Sequence, residues 1–132
     1  MQNLPCARNL LLFGALALST CSPCSDEVVQ EITSPSGASK AVVFVRNCGA
    51  TADYTSSVCI IAPSAKIPRE DGIIFSADSN HGAAPSQPNG ALPVTVIWVD
   101  SDHLRITYDS RARVFRSERL FKEVYIEYSP KT

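Results

Sequence analysis

From Asp26 onward the apolar residues alternate with polar ones at a period of two, and no stretch repeats them at three and four. Side chains of a strand point alternately to opposite faces, so this patterning buries apolar surface only when the chain is extended and paired in sheets. Val28 to Thr33 reads as a first strand, stopped by the turn residues Ser34-Pro35-Ser36-Gly37. Lys40 to Arg46 is rich in β-branched and aromatic residues and reads as a second, central strand. Val58 to Ala62 and Gly72 to Ala77 follow as the third and fourth. Val94 to Val99 and Leu104 to Tyr108 form the clearest hairpin, across Asp100-Ser101-Asp102-His103. On its return strand Leu104, Ile106 and Tyr108 share one face while Arg105 and Thr107 share the other, as in a sheet with one buried and one wet face. Arg111 to Arg116 alternates as an edge strand whose arginines oppose aggregation, and Lys122 to Tyr128 closes the fold.

The fold class expected is therefore all-β, a small antiparallel sandwich or open barrel of about seven strands. The Ser34–Gly37 turn with its strands resembles a hairpin of a TolB-type β-propeller, and Trp98 to Asp102 resembles a second. About sixty residues separate the two, against the ~40–50 of a propeller blade, so a propeller is excluded.

The first two dozen residues belong to a different physical regime. Arg8 precedes an apolar core from Leu10 to Leu18, which is about nine residues and too short to span a bilayer. Leu18-Ser19-Thr20-Cys21 follows at once and resembles a bacterial lipobox, with Thr20 where Gly, Ala or Ser is usual. That resemblance implies acylation of Cys21 and, with Ser22 next, a place at the periplasmic face of the outer membrane. Cleavage after Ala15-Leu16-Ala17 is the competing route and would release the protein. The expected organisation is a signal peptide over 1–20, a tether over 21–26, and one all-β domain over 27–132. That domain, of about 110 residues, is enough for one modest core.

Twelve basic and thirteen acidic residues leave the chain nearly neutral, without a charged tail, which argues against nucleic acid as a partner. Of five cysteines, Cys6 leaves with the signal and Cys21 is the acylation candidate, leaving Cys24, Cys48 and Cys59. An odd number of thiols in an oxidising compartment suggests one disulfide and one leftover. The expected pair is Cys48–Cys59 across a hairpin, with Cys24 outside the core; a bridge to Cys24 and free thiols stay open, because spacing does not determine connectivity.

Ser34-Pro35-Ser36-Gly37, then Lys40 to Thr51 with Cys48-Gly49-Ala50-Thr51, then Val58-Cys59-Ile60, resemble a pattern of small, functionally uncharacterised bacterial envelope proteins and lipoproteins. These pair it with a later segment similar to Ile97-Trp98-Val99 and Leu104 to Tyr108. The resemblance implies an envelope location and no particular activity. Its usual residue at position 59 is serine, which sets Cys48 apart as the more interesting thiol.

Candidate chemistry is sparse. A guanidinium such as Arg46 can lower the pKa of Cys48, but cysteine catalysis also needs a base, and the two histidines, His81 and His103, sit in no known catalytic signature. Asp78-Ser79-Asn80-His81-Gly82 and Asp100-Ser101-Asp102-His103 place acids beside imidazoles, yet turn propensity explains both and neither supplies a zinc or EF-hand ligand set. No catalytic residue, metal or cofactor is assigned. Arg105, Arg111, Arg113, Arg116, Arg119 and Lys122 interleave with Asp109, Glu118 and Glu123, as on a solvated face. Trp98 alternates with Val96 and is expected in the core. Asp78 to Pro93 holds three prolines and two glycines and offers few bulky anchors, so a disordered insertion is expected, with an ordered partner-binding loop as its alternative. The functional expectation is an envelope-anchored β-domain that binds the membrane through its lipid and a protein partner in the envelope. A hydrolase inhibitor is the alternative, and an enzyme the third class.

Overall fold

The computed structural model describes residues 24–49 and 54–132. Among these the chain forms β1 (Ser25–Thr33), β2 (Lys40–Asn47), β3 (Thr55–Ile61), β4 (Ile73–Asp78), β5 (Val94–Asp100), β6 (His103–Asp109), β7 (Arg113–Ser117), β8 (Leu120–Phe121) and β9 (Val124–Lys131), and no helix. Two sheets, ordered β1-β2-β3-β4-β7 and β5-β6-β9-β8, make an all-β sandwich. The signal peptide expected over 1–20 and the acylation expected at Cys21 fall outside the described residues. β1 begins inside the expected 21–26 tether, because Ser25 and Asp26 already pair with Asn47 and Arg46.

Every pairing is antiparallel except β6 with β9, which run parallel from His103↔Tyr125 to Asp109↔Lys131. Parallel neighbours need a crossover. Here the chain supplies it by leaving β6, laying β7 against β4 at the edge of the five-stranded sheet, and returning through β8. The period-two pattern reports faces and not strand direction, so the parallel pair and the two-residue β8 were not legible in the alternation.

Between the sheets lies the main core, built from Ala41, Val43, Val58, Ile60, Ile74 and Phe75 on one side and Val96, Leu104, Ile106, Val124 and Ile126 on the other. Tyr108 and Tyr128 close it around Phe75, with ring centroids 5.0 and 5.7 Å away. Polar atoms in this layer are anchored: Tyr128 Oη donates to Glu118 O at 2.6 Å, and Trp98 Nε1 donates to Ile32 O at 2.9 Å. Trp98 packs on the core as expected, and its indole N–H ties the four-stranded sheet to β1.

The five-stranded sheet is covered on its other side as well. Val42, Phe44, Cys59 and Ile73 form a second cluster under Ile61 and Ile67. The 62–72 connection crosses this face as a strap, and Arg46 nails it down. Arg46 donates to Pro68 O at 3.1 Å and Arg69 O at 3.0 Å, holds both carboxylate oxygens of Asp26, and lies over the Phe44 ring. Arg116 donates to Glu70 O at 3.5 Å and to Ile73 O at 3.0 Å, where the strap runs into β4. Burial on both faces explains why β2 and β3 carry nearly continuous apolar runs.

The disulfide expectation is corrected. Cys24 is bonded to Cys48, and Cys59 is a buried free thiol. Ser25 faces Asn47, so the next residue out on each strand is a cysteine, and the two meet where β1 and β2 end. Cys59 instead pairs with Val42, in the middle of β2. Six residues of strand separate Val42 from Cys48, about 20 Å at ~3.3 Å per residue, far beyond the ~7 Å Cα limit for a bridge. The apolar run starts at Val58, but β3 begins three residues earlier, at Thr55, which carries Cys59 away from the strand end. Burial pushes the Cys59 thiol up to about 11, so it stays protonated and inert at neutral pH.

Non-reducing peptide mapping should therefore recover a Cys24–Cys48 peptide, with Cys59 alkylated only after unfolding. Replacing Cys24 and Cys48 by alanine should cost about 3 kcal/mol on the chain-entropy model for a loop of this size. Recovery of a Cys48–Cys59 peptide from native protein would refute the pairing.

Candidate functional site

The four-stranded sheet, unlike the central strands β2, β3 and β4 of its partner, is covered on one side only. Its inner positions Val96, Leu104, Ile106, Val124 and Ile126 are buried, and the alternate positions face solvent. The register puts those outward residues in rows across the sheet: Thr95↔Thr107↔Ser129, Ile97↔Arg105↔Glu127, and His103↔Tyr125↔Leu120. Ile97, Val99, Leu120 and Tyr125 are each about half exposed, at 53, 49, 52 and 56%. Exposed large apolar side chains gathered on one face, with charged neighbours, mark interaction surfaces in soluble domains. Arg105 and Glu127 form an ion pair at 3.2 Å across the middle row, and the His103 and Tyr125 rings lie 5.9 Å apart. At the foot of the same face is an open groove of about 250 Å³, walled by Pro85 and Pro93, floored by Thr95 and Thr107, and edged by Asp109 and Lys131.

The Asp78–Pro93 segment borders this groove, and it is ordered. Disorder, the expected outcome, is corrected by its packing. Ala84, Ala91 and Leu92 are 1, 0 and 2% exposed. Backbone hydrogen bonds close it from Ala84 to Ser79, from Gln87 to Ala91 and from Gly90 to Gln87. Ser56 Oγ donates to Leu92 O at 2.6 Å beneath it. The anchors are small side chains, which a search for bulky residues overlooks: Ala84 and Ala91 fit where larger groups would clash with a packed core. Pro85 to Gly90 form its exposed tip.

At the root of this loop Asp78 is almost fully buried and accepts both Nε and Nη2 of Arg113, at 3.2 and 2.6 Å. Asn80 N adds a third bond to its Oδ1 at 2.9 Å. Asn80 and His81 both take left-handed backbone angles, φ 58° and 56°, which turn the chain back and bring His81 Nε2 to 3.3 Å from Arg113 Nη1. A guanidinium only donates, so in the neutral form of the ring Nε2 is the acceptor of this contact. Burial works to raise the Asp78 carboxyl, but hydrogen bonds from Arg113 and Asn80 and the charges of Arg113 and His81 outweigh it and hold its pKa below the usual value. Arg113 thus contacts both Asp78 and His81.

The remaining sequence candidates are dispersed. Cys48 is disulfide-bonded and carries no nucleophile. His103 belongs to the bare sheet face, in the hairpin at the end of the sandwich opposite Asp78, and Asp100 Oδ1 caps its turn by accepting from Asp102 N. Among the described residues no three of His, Cys, Asp and Glu converge as metal ligands. Four of the six cations of the basic stretch are ion-paired: Arg105 with Glu127, Arg111 with Asp109, Arg113 with Asp78, Arg116 with Glu70. No protein-family model, curated protein or solved structure matches the chain.

Asp78 supplies a pH test. Its folded-state pKa is depressed, so its stabilisation is fully present above the unfolded carboxylate value of ~3.9 and is lost as pH falls through the folded value. Asp78→Asn should cost about 1–3 kcal/mol at neutral pH in urea unfolding, and the gap to wild type should narrow below about pH 4. A gap that is unchanged at pH 2 would contradict the assigned ion pair.

Proposed function

We propose that this chain is an envelope-anchored binding or accessory module, held by a lipid on Cys21, that presents the outer face of its four-stranded sheet to a protein partner in the envelope. The observation carrying this reading is the asymmetry of covering. The five-stranded sheet has the outer face of β2, β3 and β4 strapped by residues 62–72 and exposes apolar side chains on its edge strands, Val28 and Val29 on β1 and Val114 and Phe115 on β7, whereas the four-stranded sheet leaves Ile97, Val99, Leu120 and Tyr125 in water on a face that no strap crosses. Apolar surface of this kind is hydrated at a free-energy cost of about 25 cal/mol per Å², which a partner recovers by covering it. The paired Arg105 and Glu127 in the central row give the face polar contacts that favour one docking register over others.

The lipobox-like Leu18-Ser19-Thr20-Cys21 supports the anchor. Radiolabelled palmitate should enter the wild-type protein and not Cys21→Ala. In envelopes treated with crosslinker, Ile97→Glu and Tyr125→Thr should each abolish the crosslinked species formed by wild type. Both positions are exposed on one face, so stability should shift by no more than about 0.5 kcal/mol. A crosslinked species unaffected by both substitutions would remove this face from the reading.

The ordered loop with its exposed Pro85–Gly90 tip supports a second reading, a tethered or secreted inhibitor that inserts the loop into a hydrolase. Exchanging Pro85–Gly90 for glycine and serine separates the two. Loss of the crosslinked species there, with Ile97→Glu still crosslinking, favours the inhibitor.

A further inference from the structure

The Cys24–Cys48 bond has a geometric consequence for how an acylated chain would sit. Cys24 lies at the end of the five-stranded sheet where β1 begins and β2 ends. β3 begins at this end, and so does the loop that follows Asp78, since Arg46 pairs with Thr55 and Ser56 with Ala77. The four-stranded sheet brings the start of β5 and the ends of β6 and β9 to the same end, through Val94↔Tyr108 and Asp109↔Lys131. The 79–93 loop folds across it, with Gly90 against the Tyr54 ring and Leu92 bonded to Ser56.

Only Ser22 and Pro23 separate Cys21 from Cys24. Successive Cα atoms are ~3.8 Å apart, so the three steps reach at most about 11 Å. The disulfide extends that limit from one strand to two, because β1 cannot peel from β2 while the bond stands.

We propose that this loop-bearing end seats on the interfacial layer of the phospholipid bilayer, with the strands rising from it; the inference rests on acylation of Cys21. The chemistry of the end suits that contact. Residues 82–93 contain no charged side chain, in a chain where charged residues make up 19%. An uncharged tip enters the headgroup region without the penalty of desolvating an ion, and Ser86, Gln87 and Asn89 offer hydrogen bonds to phosphate and ester oxygens. Beside the tip, Arg111 and Arg113 keep half-exposed side chains while paired to Asp109 and Asp78, and Lys131 is exposed. The exposed stem of Lys131 is long enough to extend toward lipid headgroups, while the two arginines offset the carboxylates of Asp109 and Asp78. β9, eight residues long, then lifts the opposite end about 25 Å above the interface. The bare face of the four-stranded sheet stands sideways to the membrane, within reach of a partner that is itself membrane-bound.

The test uses full-length lipidated protein in vesicles of phosphatidylethanolamine and phosphatidylglycerol, with one nitroxide label at Asn89→Cys or at Ser36→Cys in the far turn. Flotation with the vesicles and palmitate incorporation report acylation separately. For protein that floats, the label at 89 should lose collisions with a water-soluble nickel chelate severalfold relative to the label at 36. Breaking the mount with Cys24→Ser and Cys48→Ser, in chains that still float, should return the label at 89 toward the value at 36. Equal accessibility of the two labels in floating wild-type protein overturns the seating while leaving the anchor intact. A chain that takes no palmitate and does not float overturns both.

Discussion

Arg46 is the tie on which the five-stranded sheet depends. Its guanidinium reaches back to both oxygens of Asp26 on β1, covers the Phe44 ring on its own strand, and holds the carbonyls of Pro68 and Arg69 in the strap. Phe44, Val42 and Cys59 are almost completely buried beneath that strap. Each large apolar side chain kept from water in this way is worth about 1.5–3 kcal/mol. A planar group with five donors in a fixed fork can satisfy a carboxylate and two carbonyls at once, which the point charge of a lysine cannot. Asp26 in turn raises the pKa of Arg46 further, so the tie stays charged across the whole accessible pH range.

That strap makes the two sheets unequal, and the inequality organises the molecule. The central strands of the five-stranded sheet, β2, β3 and β4, are buried on both sides and serve stability, while its edge strands β1 and β7 are largely exposed. The four-stranded sheet shares only its inner face, so its outer residues are released from packing and available for contact. Parallel pairing of β6 with β9 contributes to this arrangement, because it sets Arg105 beside Glu127 and His103 beside Tyr125 in straight rows. The arginines between 105 and 116 are each ion-paired, which leaves shape and apolar area as the distinctive features of the bare face.

Two devices at the opposite ends of stiffness shape the loop-bearing end. The disulfide is a covalent staple at the open end of β1 and β2, where backbone pairing alone would fray. The 79–93 loop is held by weaker means: buried alanines, a leucine, turn hydrogen bonds and the Asp78–Arg113 pair at its root. Left-handed angles at Asn80 and His81 let the chain reverse within two residues, a conformation for which asparagine and histidine are among the more tolerant side chains.

Much of the fold was written in local pattern. Alternation in Val94–Val99 and Leu104–Tyr108 determined which side chains face inward, because the strand period is two whatever the neighbours are. The turn residues at Ser34–Gly37 and Asp100–His103 marked hairpins for equally local reasons, and the alternating arginines of Arg111–Arg116 marked an edge strand. Strand direction, the strap and the thiol pairing were decided by the tertiary structure, since each depends on residues distant in sequence. Cys24 meets Cys48 because of the β1–β2 register; Cys59 is excluded because β3 starts early enough to carry it to the level of Val42. Val42, Phe44 and Cys59 could be read as buried, but only the strap and Arg46 say against what. The bare face is of the same kind: period two placed Ile97 and Tyr125 on the outward side of their strands, and only the folded chain decides that no segment among the described residues returns to cover them.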